Sequence, residues 1–383
     1  MRILHLFRAP VGGLFRHVQD LAGAQAAEGH AVGLVCDVGG GPRADAALDA
    51  IAPRMALGVT RFPIHRDPGP NDLLVVARTH RLVGRLAPDV VHGHGAKGGL
   101  AARLAPALGL GGPYVTAYTP HGGSLYFGQG QQGHGLYSAV EQMLVRGTDA
   151  LTFESQFAAD RFAASMSTGD ALVRVIRNGA HSHEFAPVEP DPDATDLLYL
   201  GEFRAVKGLD VLLGALGLLR ERRGREVSLT LIGAGPDEAG LRTMISQMGL
   251  AEVRIEAPRP AREAMRRGRV LVLPSRAESL PYVLIEAAAA GVPIVATNVG
   301  GIAEIMAPFA FALVGKNDPG ALASAIEARL GELPALRQFA VSVMQKHVRQ
   351  NLSVERMVRE VEDTYREALE RRGLFKASVR EQL

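Results

Sequence analysis

The chain has 383 residues, of which 47% are hydrophobic and 21% charged, and its formal net charge is +2. This length indicates two or three globular domains, and the apolar fraction excludes a disordered chain. The near-zero charge gives no global attraction for nucleic acid. The single cysteine, Cys36, excludes an intrachain disulfide and a cysteine-based zinc site. We expect a cytoplasmic protein without a signal peptide or membrane span, and peripheral contact with the inner membrane face stays open.

The first half of the chain alternates short apolar runs with amphipathic stretches. Apolar runs without polar alternation, separated by helices, predict a parallel sheet covered on both faces. We predict strands at 3–7, 32–36, 59–64, 89–92, 114–117, 150–153 and 173–176, and helices that include 14–28, 72–86, 96–108 and 136–146.

The alternation stops at residues 186–195, where three prolines and three acidic residues indicate a linker, and then resumes. We predict strands at 197–200, 228–232, 254–256, 270–273, 294–296 and 311–314, and helices at 209–222, 238–248, 261–267, 282–290, 302–306, 319–331, 335–349 and 353–371.

This order predicts an α/β protein with two doubly wound, Rossmann-like parallel-sheet domains. The predicted domains are 1–187 and 188–355, followed by a C-terminal helical segment, 356–383. Because ligands collect beyond the carboxyl ends of parallel strands, we expect a site in a cleft between the two domains.

The loop after the strand at 270–273 carries the sharpest chemical signal. Ser279 suits an N-cap and Pro281 a first turn, and free N–H groups at a helix start favour an anion such as a phosphate. Glu278 precedes this helix and Glu286 lies two turns into it, so each carboxylate could hold a different pair of sugar hydroxyls. Alternatively, one glutamate only complements the helix dipole and the other is a surface residue.

Two further loops suggest phosphate binding. Arg204 and Lys207 follow the strand at 197–200, where a guanidinium and an ammonium could clamp a diphosphate, although such loops are often simply solvated. Gly12 and Gly13 join the first strand to the first helix, where a ligand could approach the backbone. The second glycine-rich loop, 233–236, starts like a dinucleotide fingerprint but has Glu238 at its third glycine position.

Histidines cluster after strand ends in the N-terminal half. His92 and His94 follow one strand and His121 follows the next, so the three side chains are candidates for a cleft. A metal-binding triad of these histidines is a competing interpretation.

These motifs together resemble the family 4 retaining glycosyltransferases of the GT-B fold over nearly the whole chain. The resemblance rests on motifs that occur in the family's order: Gly12-Gly13, His121-Gly122, Asn178-Gly179, Arg204 with Lys207, 233–236, and Glu278 with Glu286 separated by seven residues.

The resemblance implies a role for each matching residue. Arg204 and Lys207 would hold the donor diphosphate, Glu286 the ribose and Glu278 the donor sugar, whereas His121 would aid the transfer. Gly13 would let the first loop approach the phosphates. The remaining implied donor contacts are Ala257, Pro258 and Arg259 at the base, and Ser279, Leu280, Pro281 and Tyr282 at the sugar and phosphate. The candidates for the acceptor side are His92, His94 and Lys97. The resembled fold also implies that the segment 356–383 packs back on the N-terminal domain.

The implied reaction moves a sugar from a UDP- or GDP-sugar to a hydroxyl of a glycan or lipid-linked acceptor, with retention and without a metal or other cofactor. The family commonly has Gly-Phe-Gly where this chain has Ser279-Leu280-Pro281, which leaves the contacts there open. The basic runs 220–225 and 259–269 could meet anionic lipid or simply be solvated. A nucleotide-sugar epimerase, a dinucleotide-dependent oxidoreductase and a non-catalytic binding protein are the alternatives.

Overall fold

The computed structural model describes residues 1–121 and 134–374. The chain forms two compact units, unit 1 with Met1–Arg177 and Val354–Leu383, and unit 2 with Asn178–Ser353. The predicted boundaries lay at 187 and 355. Residues 178–195 belong with unit 2 because they bond to it: Ala180 N–H donates to the Leu352 carbonyl, and Asp191 pairs with Arg266 at 2.7 Å.

Unit 1 contains a seven-stranded, fully parallel sheet in the order β3-β2-β1-β4-β5-β6-β7. The strands have few exposed residues because helices cover the sheet, which is why they appear in the sequence as short apolar runs. They are β1 Arg2–Leu6, β2 Ala31–Cys36, β3 Gly58–Arg61, β4 Val90–His94, β5 Val115–Thr119, β6 Ala150–Phe153 and β7 Leu172–Val175.

The helices of unit 1 connect and cover these strands. The last of them, α14, packs with Met357, Val361 and Tyr365 against residues of β1, β4 and β5, including Ile3 and Val90. They are α1 Gly12–Ala27, α2 Gly41–Ile51, α3 Asn71–Leu86, α4 Gly95–Ala107, α5 His134–Val145, α6 Gln156–Ala163 and α14 Val354–Arg371.

Unit 2 contains a five-stranded parallel sheet in the order β10-β9-β8-β11-β12, so β8 and β11 are neighbours near its centre. Its strands are β8 Thr195–Leu200, β9 Leu229–Ile232, β10 Val253–Glu256, β11 Gly268–Leu273 and β12 Ile294–Ala296. Its helices are α7 Leu209–Arg223, α8 Glu238–Gln247, α9 Ala261–Met265, α10 Tyr282–Ala289, α11 Ile302–Ile305, α12 Pro319–Leu330 and α13 Pro334–Asn351.

The predicted fold class, two parallel-sheet α/β domains, is confirmed. The strand predicted at 311–314 is wrong. A 3-10 helix, Ala307–Ala312, occupies its first two residues, Phe311 is exposed, and only Val314 bridges to Thr297. Ser279 is not the N-cap of α10, because the helix begins at Tyr282 after the extended Pro281. Within the described residues, we find no helix that is both long and apolar enough to span a bilayer.

Candidate functional site

In unit 2 the predicted donor-binding residues gather at the carboxyl edge of the sheet. The loop after β8 and the loop after β11 are adjacent because the two strands pair. Arg276 N–H donates to the Val206 carbonyl at 2.8 Å, which ties these loops together. Gly301 N–H donates to the Ser279 carbonyl at 2.7 Å and ties the loop after β12 to the same place. The geometry thus brings together segments that lie about 100 residues apart.

Lys207 and Glu278 form the charged centre of this edge. The Lys207 Nζ lies 2.7 Å from Glu278 Oε1, and Ser275 Oγ donates to the same oxygen at 2.6 Å. Glu278 is buried, whereas the Lys207 side chain keeps a quarter of its surface exposed. Glu278 Oε2 accepts no hydrogen bond from the described residues, so this oxygen and the remaining ammonium protons are available to a ligand.

Arg204 and the loop after β10 lie at the same edge. Arg204 is half exposed and lies 3.7 Å from Glu202, a loose pairing that leaves its guanidinium accessible. Arg259 donates to Glu256 Oε2 at 2.6 Å, and this ion pair fixes the loop that also carries Ala257 and Pro258. Ala257 is exposed and Pro258 half buried. The predicted base contacts therefore lie on a loop held by its own ion pair.

Residues 279–286 connect the loop to α10. Leu280 and Tyr282 are buried, whereas Ser279, Pro281 and Glu286 are half buried. The Asn178 side-chain amide donates to the Leu280 carbonyl at 3.2 Å. Asn178 thus supports the candidate site from the start of unit 2, and the predicted donor roles of these residues stay predictions.

The glycine-rich loop after β9 has a packing explanation. A Cβ on Gly233 would lie 1.9 Å from the Gly201 carbonyl oxygen, so the β8 and β9 loops approach each other too closely for a side chain. This close approach accounts for the fragment that resembles a dinucleotide fingerprint.

Three arginines of the basic run 259–269 have partners inside unit 2. Arg266 and Arg267 pair with Asp191 and Asp193, at 2.7 Å and 3.0 Å respectively. Arg262 donates to two backbone carbonyls of residues 184–186. These side chains are committed to protein partners, and the idea that they contact anionic lipid stays a prediction.

In unit 1 a chain of hydrogen bonds runs through the buried histidines. The Glu154 carboxylate lies 2.5 Å from His121 Nδ1, and His121 Nε2 lies 3.0 Å from His94 Nδ1. His94 Nε2 lies 3.0 Å from His5 Nδ1, and His5 Nε2 lies 2.8 Å from Gln25 Oε1. Both nitrogens of the His121 ring are therefore engaged by unit 1 itself. His121 has a positive φ of 54°, and Gly122, which follows it in the motif, lies outside the described residues.

A second branch starts at His92. Its Nδ1 lies 2.5 Å from the Tyr365 hydroxyl of α14, and its Nε2 lies 2.8 Å from Thr119 Oγ1. Thr119 Oγ1 in turn lies 2.5 Å from Thr152 Oγ1. The C-terminal helix therefore contributes a residue to the polar interior of unit 1.

The candidate acceptor-side residues are not surface groups. His92 and His94 are 0% and 1% exposed, and Lys97 is held by both carboxylate oxygens of Asp72, at 2.6 and 2.8 Å. Gly13 is exposed in the first turn of α1. Their predicted roles stay predictions, and His92 and His94 can reach a ligand only through other residues.

Burial determines the charge state of the inner histidines. Desolvation lowers the pKa of His5 to about 4 and lowers the pKa of His92 and His94 well below the usual value. The neighbouring histidines lower the pKa of His92 and His94 further, since two imidazolium ions at this distance repel each other. All three are neutral at pH 7, with one donor and one acceptor nitrogen each.

Some of these nitrogens are close enough to share a metal ion. The sets His5–His92–His94 and His17–His94–His121 each have ring nitrogens within 4.8 Å of one another. The predicted triad of His92, His94 and His121 is not among the sets that the described residues form. In the first set His5 pairs with His94, and in the second His94 pairs with His121, whereas His92 pairs with Tyr365 and Thr119.

The family of the chain follows from its relatives. Residues 11–183 match the family described as Glycosyltransferase Family 4, and residues 194–332 match the one described as Glycosyl transferases group 1. Glycogen synthase of Mycobacterium tuberculosis is 31% identical over 327 residues, which cover 77% of this chain and 76% of that protein. The chain belongs to glycosyltransferase family 4.

Other relatives and solved structures agree with the assignment of this chain to a glycosyltransferase family. D-inositol 3-phosphate glycosyltransferase of Nocardiopsis dassonvillei is 31% identical over 263 residues, or 63% of this chain and 61% of that protein. A glycosyltransferase of Rickettsia africae superposes with a TM-score of 0.75 at 17% identity, covering 96% and 98% of the two chains. Anabaena HepE in complex with UDP-glucose also has a TM-score of 0.75, at 18% identity, covering 95% and 99%. The structural likeness supports the GT-B fold.

Sequence reasoning overlooked several residues of this glycosyltransferase. In the sequence pattern Ser275 lies at a strand end, Glu154 follows a buried strand and Gln25 lies inside an amphipathic helix, so none of them was singled out. His5 was counted within an apolar run. A buried polar residue needs a hydrogen-bond partner, so His5 in the middle of an apolar strand was the available signal.

Acid should destabilise unit 1 of the glycosyltransferase. Because the folded-state pKa of His5 is about 4 and its ordinary value is 6.5, the unfolded chain binds more protons between these pH values. The contribution of His5 to the free energy of unfolding should therefore be fully present above pH 6.5. It should be lost as the pH falls toward 4, which lowers the free energy of unfolding by about 3 kcal/mol. Calorimetry at pH 7.5, 5.5 and 4.5 should show that the unfolding transition of unit 1 moves to lower temperature as the pH falls. His5→Asn should flatten this dependence, whereas substitution of the exposed His80 should not; an unchanged midpoint in the native chain would contradict the prediction.

Proposed function

We propose that the protein is a retaining glycosyltransferase that moves a hexose from a UDP- or GDP-sugar to a hydroxyl of a glycan or lipid-linked acceptor, without a metal. The observation that carries the proposal is the arrangement of Lys207, Ser275 and Glu278 at the carboxyl edge of the unit 2 sheet. It offers a cation for a diphosphate next to a carboxylate oxygen for a sugar hydroxyl.

Each donor contact has a residue with suitable chemistry. The Lys207 ammonium and the accessible Arg204 guanidinium would hold the diphosphate. Glu278 Oε2 would accept a hydrogen bond from the sugar, and Glu286 would accept from the ribose. The loop at 257–259 would take the base. The amide groups at the start of α10 would add a favourable dipole for the phosphates.

The proposed transfer depends on stabilisation of the negative charge that develops on the leaving diphosphate. The bond between the anomeric carbon and the diphosphate oxygen breaks as the acceptor oxygen bonds to that carbon on the same face, and the acceptor proton passes to the leaving phosphate. Lys207 and Arg204 would stabilise the negative charge that develops on the diphosphate. His121 would aid the transfer, as the family resemblance implies. Because cationic side chains neutralise the leaving group, no metal is needed in this scheme.

The relatives suggest which donor and acceptor to test first. The M. tuberculosis relative is a glycogen synthase, and HepE has been solved with UDP-glucose. UDP-glucose with an α-glucan is therefore the first pair, and GDP-glucose is the comparison for the base. A role in polysaccharide biosynthesis follows if a glucan or another glycan accepts the sugar.

Donor binding tests the proposal. UDP or GDP should raise the melting temperature in a concentration-dependent manner, with and without EDTA, because a ligand of the native state stabilises it. Glu286→Ala should weaken nucleotide binding about tenfold, the loss expected when one charged hydrogen bond worth about 1.4 kcal/mol is removed. Glu252→Ala, at an exposed glutamate of the same unit, is the matched control.

Two outcomes would overturn this assignment of donor and mechanism. The donor assignment fails if neither UDP, GDP nor their sugars shift the melting temperature. The retaining mechanism fails if NMR of the product shows an anomeric configuration opposite to that of the donor. Loss of binding in EDTA would contradict metal independence alone.

A further inference from the structure

Arg276 lies on the loop after β11, two residues before Glu278, and its side chain bonds to three separate segments of unit 2. Its Nη1 and Nη2 atoms donate to the two carboxylate oxygens of Asp210, at 2.8 and 2.6 Å. Nη1 also donates to the Ala205 carbonyl, and Nε donates to Asn317 Oδ1 at 2.6 Å. The guanidinium therefore joins the loop after β8, the first turn of α7 and the loop before α12.

Backbone contacts hold the same part of the loop after β8, which forms the 3-10 turn Ala205–Lys207. The Arg276 N–H donates to the Val206 carbonyl at 2.8 Å, so this one residue binds two successive carbonyls of the turn. Gly208 follows the turn with a φ of +67°, and a Cβ there would lie 2.1 Å from the Pro274 carbonyl oxygen. The turn is thus both bonded to the loop after β11 and packed tightly against it.

The Asp210 carboxylate commits the Arg276 guanidinium to protein partners. Hydrogen bonds from Arg276 hold the pKa of Asp210 below its ordinary value, and the same bonds raise the pKa of Arg276. A bidentate pair between a guanidinium and a carboxylate has a fixed geometry, and its two charges cancel. In the described part of the chain, four guanidinium N–H groups of Arg276 are used by protein oxygens. This arginine is therefore suited to holding a loop rather than to binding a phosphate.

The position of the Lys207 ammonium depends on this turn. A lysine is a point charge on a flexible side chain, so the ammonium is placed by the backbone at one end and by its ionic partner at the other. The partner is Glu278, whose Oε1 lies 2.7 Å from Lys207 Nζ. Arg276 holds the backbone end, and both residues belong to the loop after β11. One loop thus determines where the cation lies.

We propose that Arg276 is a positioning residue that, together with Asp210 and Asn317, fixes the turn that carries Lys207. This inference rests on the proposed function of Lys207 at the donor diphosphate. A charge stabilises the leaving group best when it is in place before the reaction, and a displacement of about 1 Å can cost about 10²-fold in rate. Arg276 therefore acts on the transfer through Lys207 and not by contact with the donor.

Amide hydrogen exchange of the protein without donor tests whether Arg276 holds the turn. The Lys207 and Gly208 amides bond to carbonyls of residues 204–205, so their protection depends on the turn staying in place. In Arg276→Met these amides should exchange at least about tenfold faster, because local opening of the loop becomes easier. The amides of β9, a buried strand of the same sheet, are the internal reference and should exchange as in the native protein.

Two further variants sharpen this measurement. Asp210→Asn keeps the arginine and removes the charge of its bidentate partner, so it should increase exchange in the turn less than Arg276→Met does. Arg242→Met removes another ion-paired arginine of unit 2, on α8, and should leave exchange in the turn and the transfer rate unchanged.

Transfer from UDP-glucose to an α-glucan tests whether Arg276 acts through Lys207. Arg276→Met should lower kcat about tenfold in the native background and by less than about twofold in the Lys207→Met background, because the two residues serve one interaction. A residue that contacts the donor itself, or that only supports the fold, would lower the rate by the same factor in both backgrounds.

Unchanged exchange of the turn in Arg276→Met overturns the proposal, and so does an equal loss of rate in the two backgrounds. If Arg276→Met does not fold, Asp210→Asn carries both measurements with the same two criteria. Exchange is read without donor, so a native protein that transfers no sugar contradicts the proposed function of Lys207. In that case the exchange measurement still decides whether Arg276 holds the turn.

Discussion

Lys207→Met should lower the rate of sugar transfer by about 10²–10³-fold, the loss typical of removing one group that stabilises developing negative charge. Methionine keeps a similar unbranched side chain and removes the ammonium. In the structure this ammonium lies 2.7 Å from Glu278, on a loop next to that of Glu278, where the donor diphosphate is proposed to bind. The free carboxylate would then add repulsion toward the phosphates, because Glu278 loses its cationic partner.

The measurement is the rate of transfer from the donor that gives the largest thermal stabilisation. Lys346→Met, at an exposed lysine on α13 of the same unit, is the control and should retain full activity. Glu278→Gln in the Lys207→Met background separates the two causes, since it removes the unpaired charge without restoring the cation. Full activity in Lys207→Met would refute a role for this lysine at the diphosphate.

Gly300→Ala should destabilise unit 2 by more than about 2 kcal/mol and abolish most activity. Gly300 has a φ of +58°, and a Cβ there would lie 1.6 Å from the Glu278 carbonyl oxygen. Left-handed backbone costs a residue with a Cβ about 1–2 kcal/mol, and the clash adds to this. Relief of the clash requires the backbone of Glu278 to move, so the change should affect the site as well as the fold.

The melting temperature and the transfer rate measure both effects. Gly315→Ala is the matched control, because its Cβ would meet no atom within 4 Å and its φ is not positive. We expect the control to resemble the native protein in both assays. A Gly300→Ala protein with native stability and rate would show that the loops after β11 and β12 tolerate a shift.

The strands of the two sheets and the loops that follow them could be predicted because buried parallel strands have a clear sequence pattern. β9, with the sequence Leu-Thr-Leu-Ile, is buried at every position. Such runs stand out between amphipathic helices. The same rule failed at 311–314, where an apolar segment forms a 3-10 helix and Phe311 stays 86% exposed. The hydrophobicity of a segment alone does not indicate whether a neighbouring strand is available to pair with it.

Two helices escaped prediction for local reasons. Helix α2 begins with Gly41 and Pro42 and carries charged residues among its alanines, so its apolar face is small, with Ala44, Leu48 and Ile51 as its buried residues. Helix α6 has only eight residues. Short helices depend on tertiary packing for most of their stability, which periodicity measures poorly.

The residues of the candidate donor site could be predicted from the sequence, but most of the contacts between them could not. Glu278, Lys207 and Arg204 follow strand ends, and parallel strands place such loops at one edge. The ion pair between Lys207 and Glu278 depends on β8 and β11 being neighbours. Only the structure identified Ser275 as a residue of the site, because its contribution is a hydrogen bond to one carboxylate oxygen of Glu278.

The sequence by itself determined the two α/β domains, the position of the loops that carry chemistry and the resemblance to a glycosyltransferase family. These features are encoded locally, in apolar runs, glycines and charged residues at fixed spacing. The tertiary structure alone decided which of those residues touch. The chain from Glu154 through His121, His94 and His5 to Gln25 joins residues from five segments that are separated by up to about 150 residues. Hydrogen bonds of this kind depend on distances of about 3 Å between side chains, and no spacing along the chain specifies them.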